Sequence, residues 1–141
     1  MRVVLDTSVL VAAIRSQTGT AKALVENVLR SRLELLISTP LVLEYEAVLT
    51  RREHLHASGL TRNEVDSLID MLCSVGLEVS MFRKVRPKLS DPDDEMVLET
   101  AVNGHADAIV TFNVSDFAGV AEDFHIEVLT PREALQRMDI R

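Results

Sequence analysis

A single cysteine, Cys73, in a chain of 141 residues excludes both a disulfide framework and a cysteine-rich zinc site. It sits on the apolar face of VDSLIDMLCSVGL, where it reads as a core residue. No apolar run approaches the roughly 20 residues that span a bilayer. The N-terminal stretch MRVVLDTSVLVAAIRSQ carries an acid inside its apolar run and lacks a signal-peptide layout, so a soluble, cytoplasmic protein with no membrane partner is expected. Glycine is scarce, and LDTSVLVAA, where a nucleotide-binding turn after the first strand would need it, contains none. The same segment gives Ser8 neither glycine of a nucleophile elbow, which argues against serine hydrolase chemistry. Positive charge is also short: 15 Lys and Arg against 22 Asp and Glu leave a net charge of −7. That balance argues against a nucleic-acid coat protein held by a basic surface, but not against an enzyme whose carboxylates bind cations.

What is present begins with aliphatic segments. RVVLDTS, LELLIST, LEVSMF, ADAIVTFN and IEVLTP read as five strands. Between and after them, GTAKALVENVLRS, PLVLEYEAVLTR, TRNEVDSLIDMLCSVG, DPDDEMVLETAVNG and PREALQRM carry apolar residues at helical spacing. Near-continuous hydrophobic strands alternating with helices imply an α/β fold with a mostly parallel sheet covered on both faces. With no linker, repeat or low-complexity stretch, the length fits one domain over residues 1–141.

SDPDDEMVLETA packs five carboxylates against an apolar helical run, and local physics accounts for some of them. Asp91 suits an N-cap and Pro92 the first helical position, while Asp93, Asp94 and Glu95 then fall where the helix dipole favours negative charge. Asp6 is harder to explain. It ends an aliphatic strand with no basic residue near it in sequence, and an acid in such a place needs a hydrogen-bonding partner or a cation. In a parallel sheet each helix starts at the carboxyl end of the strand before it, and ligands bind outside that edge. Asp6, Glu44, Asp94, the Thr111-Phe112-Asn113 end of the fourth strand and Asp116 all map to that edge. Oxygen ligands without a Cys or His set suit Mg²⁺ or Mn²⁺, and the chemistry that follows is phosphodiester hydrolysis. The four histidines read as surface residues. Arg51 and Arg52 after one helix, and Arg83, Lys84, Arg86 and Lys88 in RKVRPK, read equally as solvated turns or as contacts to an RNA backbone.

VVLDTSVLVAA, STPLVLEYEAVLTR and DPDDEMVLETAVNGHADAIVTFNVSDF resemble, in order and spacing, the PIN domain family, and most closely its VapC-like branch of toxins from toxin–antitoxin pairs. The resemblance runs from Arg2 to Phe117. It implies a three-layer α/β sandwich that cleaves RNA with Mg²⁺ or Mn²⁺, an antitoxin protein as partner, and a homodimer. It assigns Asp6, Glu44 and Asp94 to the acids that hold the metal and perform catalysis, with Thr7 or Ser8 as the hydroxyl beside the first and Thr111 in support. Many members end the fourth strand with Thr-x-Asp, whereas this chain has Asn113, an amide that can coordinate a cation but brings no charge. Asp116 is then the candidate for the missing carboxylate, and Asp93 could join Asp94. The departure keeps a second reading open, a PIN-like module that binds RNA or protein with little catalysis. A haloacid-dehalogenase-type phosphohydrolase is a third, but it would place a second aspartate where Ser8 stands.

Overall fold

The computed structural model describes residues 1–16, 18–82 and 92–139. The RKVRPK cluster, with Arg83, Lys84, Arg86 and Lys88, and the proposed cap Asp91 lie outside the described residues.

All five segments read as strands contain one: β1 (Arg2–Leu5), β2 (Glu34–Ile37), β3 (Leu77–Glu78), β4 (Ala108–Val110) and β5 (Glu127–Leu129). They form one sheet in the order β3-β2-β1-β4-β5, and every pairing is parallel. Each strand is shorter than its aliphatic segment, and after β1, β2, β4 and β5 a helix starts within a few residues. Val3, Val4 and Leu5 on β1 and Ala108, Ile109 and Val110 on β4 are all buried, as expected of central strands covered on both faces.

Eight helices are present among the described residues: α1 (Thr7–Arg15), α2 (Thr20–Leu29), α3 (Thr39–Leu49), α4 (Arg52–Ser58), α5 (Arg62–Val75), α6 (Pro92–Asn103), α7 (Val114–Glu122) and α8 (Pro131–Asp139). Right-handed crossovers put α1 to α5 on one face and α6 and α7 on the other. The packing agrees, since α1 touches α2 and α3, while α6 lies over β1, β2 and β4 and touches α7. Local signals fix several boundaries. Thr61 and Glu64 form a reciprocal capping box at the start of α5. Pro40 sits in the first turn of α3, where its missing N–H costs nothing.

Two expectations change. Residues 114–122, absent from the helical segments read in the sequence, form α7, which places Phe117 in the core. Cys73 is half-buried rather than a core residue, because the face of α5 that carries it opens onto a surface cleft. Burial, together with the nearby Asp70 charge, raises the pKa of its thiol.

The strand order matters for function. The chain builds outward from β1 through β2 to β3, then crosses back to lay β4 on the other side of β1. The order therefore reverses between β1 and β4, and the crevice outside the carboxyl ends of those two strands is where open α/β sheets place their ligands.

Candidate active site

Asp6 stands at that reversal, one residue past β1, with its backbone N–H donating to the Val110 carbonyl at the end of β4 (2.9 Å). It occupies the N-cap position of α1, yet its carboxylate makes no capping hydrogen bond. The side chain accepts two hydroxyl donors instead, both on Oδ2: Ser8 Oγ at 2.6 Å and Thr111 Oγ1 at 2.8 Å. Asp6 is only 6% exposed, and a carboxylate so placed needs such partners. Among the described residues, Oδ1 accepts no hydrogen bond.

Each hydroxyl passes the constraint on. Ser8 Oγ accepts from the Phe112 N–H (3.4 Å), and Thr111 Oγ1 accepts from the Asn113 N–H (2.9 Å). The turn after β4 is thus tied to the Asp6 carboxylate at two consecutive amides.

Glu44 arrives on α3 and Asp94 on α6. Two tethers hold α3 in place. Tyr45, next to Glu44 and fully buried, donates its phenol to the Leu5 carbonyl, the residue before Asp6. Ser38, at the N-cap of α3, is bonded to Thr100 of α6 at 2.7 Å. Thr100 spends its own proton on the Met96 carbonyl, so Ser38 is the donor. Burial, with the Asp6 carboxylate adding to it, pushes the Tyr45 phenol far above its ordinary pKa. It therefore remains a donor at any pH the fold survives.

Together these elements line an open cleft of about 430 Å³. Asp6, Thr7, Ser8, Glu44, Asp93, Asp94, Arg51 and Asn113 all contribute to its wall, with Val11, Ala12, Val48 and Phe112 supplying the apolar part. Glu44 and Asp94 are half-buried, and Asp93 is exposed. Asp116 lies in the first turn of α7, exposed and outside the cleft lining, and Arg52 is exposed beyond it. None of the histidines lines the cleft; His105 and His125 occupy left-handed turn positions, and His54 packs beside Arg15. A second cleft, of about 350 Å³, borders Ile37, Val42, Leu43 and Cys73, with Glu78 as its carboxylate among the described residues.

The donor set in the acid-lined cleft is carboxylate and amide oxygen, the chemistry of a hard divalent cation. Among the described residues no three acids are gathered tightly enough to enclose an ion as they stand. That arrangement still fits Mg²⁺, which usually takes one or two carboxylates and keeps several waters.

Sequence reasoning did not single out Tyr45, Ser38, Thr100 or Phe112. Tyr45 had one signal, a lone aromatic inside EYE on an otherwise aliphatic helix face. The Ser38 to Thr100 tether joins residues 62 apart and had none.

The model of the PIN domain matches residues 2–115. No curated protein matches the chain. Among solved structures, the chain is similar in fold to VapBC2 from Rickettsia felis, determined bound to a DNA fragment from the promoter. The TM-score is 0.64 at 15% identity, over 92% of this chain and 98% of that one. Since the family model spans most of the sequence, including Asp6, Glu44, Asp94 and Asn113, the chain belongs to the PIN domain family.

Proposed function

We propose that the protein is a divalent-cation-dependent endoribonuclease that hydrolyses RNA phosphodiester bonds, acting as one domain and as the toxin of a toxin–antitoxin pair. The observation that carries this reading is that Asp6, Glu44, Asp94 and Asn113, from four separate parts of the chain, border one cleft at the reversal of the strand order. Asp6, Glu44 and Asp94 would hold Mg²⁺ or Mn²⁺, with Asn113 as a neutral oxygen donor. The ion supplies charge neutralisation at the scissile phosphate and activation of water.

The chain's own residues do the rest. Ser8 and Thr111 fix the Asp6 carboxylate through Oδ2, which leaves Oδ1 to serve the site. Tyr45 ties α3, which carries Glu44, to the end of β1, and the Ser38 to Thr100 bond ties α3 to α6, which carries Asp94. Arg51, the one cation lining the cleft among the described residues, offsets phosphate charge on the substrate side. The likeness in fold to VapBC2 supports an antitoxin protein as partner, and the assembly proposed is a homodimer.

A PIN-like module that binds RNA or protein with little catalysis is the alternative, favoured by the uncharged Asn113 in the cleft wall. A cleavage assay on a mixed RNA pool with Mn²⁺ decides between them. Loss of groups that merely support metal ligands costs about 10- to 100-fold. Asp6→Asn and Asp94→Asn should therefore each lower the rate by roughly 10²-fold or more, with the fold intact by circular dichroism. A wild-type protein inert with both Mg²⁺ and Mn²⁺ would refute the nuclease reading.

A further inference from the structure

An isolated apolar side chain on a protein surface is ordinary; the position of Phe112 is not. It is 47% exposed, and it lines the same cleft as Asp6, Glu44 and Asp94. Its backbone N–H is bonded to Ser8 Oγ, and the following amide to Thr111 Oγ1, and both hydroxyls end on Asp6 Oδ2. The residue that carries the ring is therefore held relative to the central carboxylate from both sides. A half-exposed phenyl adds little to the core, and the amide tethers need only a backbone, so the fold gives no reason for an aromatic here.

The cleft wall combines three chemistries. Its carboxylates suit a cation, Arg51 carries the positive charge that suits a phosphate, and Phe112 with Val11, Ala12 and Val48 forms an apolar side. A phosphate chain bearing flat apolar bases satisfies all three. An aromatic face accepts any base by stacking, and removing such a face costs a single-stranded complex about 1–3 kcal/mol per base.

We infer that Phe112 is a base-stacking residue that positions the nucleotide next to the scissile phosphate. The inference rests on the ribonuclease reading, and its test separates the two. Binding of a short labelled single-stranded RNA is measured by fluorescence anisotropy in an Asp6→Asn background. There Asn can still accept the two hydroxyls, and turnover is suppressed. The same strand is then remade with a single abasic site at each position in turn.

Phe112→Ala should weaken binding roughly 5- to 150-fold. Phe112→Trp should restore it, and Phe112→Leu should not, since leucine keeps apolar area but has no ring face. One abasic position should weaken the Phe112 protein by a similar factor and leave Phe112→Ala unchanged. With Asp6 restored, kcat/KM should fall in the Ala variant in parallel. Equal binding by Leu and Phe, or an Ala variant that still senses the abasic site, would overturn the inference. Active wild type without the stacking signature would leave the nuclease and remove the subsite. Inert wild type with the signature would keep the subsite and remove the nuclease.

Discussion

Replacing Thr111 by valine keeps the side-chain shape and deletes one hydroxyl, which tests the support of Asp6 separately from its chemistry. Thr111 is fully buried; its Oγ1 donates to Asp6 Oδ2 at 2.8 Å and accepts from the Asn113 N–H at 2.9 Å. A hydrogen bond to a charged group is worth about 1.5–3 kcal/mol. The second bond adds less, since Asn113 is exposed and water can replace Oγ1. The expected loss is about 2–3 kcal/mol, and at roughly 2–4 °C per kcal/mol for a domain of this size Tm should fall by roughly 4–12 °C. Chemical denaturation followed by circular dichroism gives the free energy directly. Thr111→Ser keeps the hydroxyl and loses only a methyl, so it should cost less than valine does. Because Ser8 donates to the same oxygen, Ser8→Ala combined with Thr111→Val should be non-additive. A valine variant within about 0.5 kcal/mol of wild type, or a serine variant as damaged as the valine one, would refute the account of how Asp6 is held.

Four further outcomes are expected. Mg²⁺ or Mn²⁺ at about 100 times its dissociation constant should stabilise the fold by about 2.7 kcal/mol, a Tm rise of roughly 5–11 °C; an unchanged rise in Asp6→Asn, read by scanning fluorimetry, would detach Asp6 from the cation. Tyr45 is the sole tyrosine and the chain has no tryptophan, so tyrosinate absorbance near 295 nm reports it alone. Its folded pKa is raised, so its contribution is complete below the unfolded value of about 10 and falls as pH climbs above that; tyrosinate should appear together with alkaline unfolding, and a signal rising while the fold persists would contradict its burial. If Asp116 serves the cation, Asp116→Asn should lower Mn²⁺-dependent cleavage by roughly 10²-fold, whereas a residue that stays outside the cleft should leave the rate unchanged; Asn113→Asp should raise Mn²⁺ affinity, measured by calorimetry, and no change would take residue 113 out of the donor set.

The strands were legible because Val, Leu and Ile runs between helical patterns have few other structures to adopt, and the sheet edge that gathers Asp6, Glu44 and Asp94 followed from strand and helix order alone. Residue-level geometry was less accessible. Asp6 sits at an N-cap, but its side chain turns to Thr111, 105 positions away, and no local pattern encodes that choice. The Tyr45 bond to Leu5 spans 40 positions and was hidden for the same reason. The helix over Val114–Glu122 was missed because Ser115, Asp116 and Gly119 are turn-forming residues, and core packing of Phe117 overrides that preference.

The two-hydroxyl clasp on Asp6 also sets a time. Asp6, Glu44 and Asp94 are all synthesised before Thr111, which follows Asp6 by 105 residues. At 5–20 residues per second that gap lasts about 5–20 s on the ribosome. A nascent or prematurely terminated chain that stops short of β4 carries all three acids but lacks the strand that pairs with β1 on the side away from β2, and one half of the clasp. If the cleft cuts RNA, a nascent chain that has not yet reached β4 holds its central carboxylate through Ser8 alone.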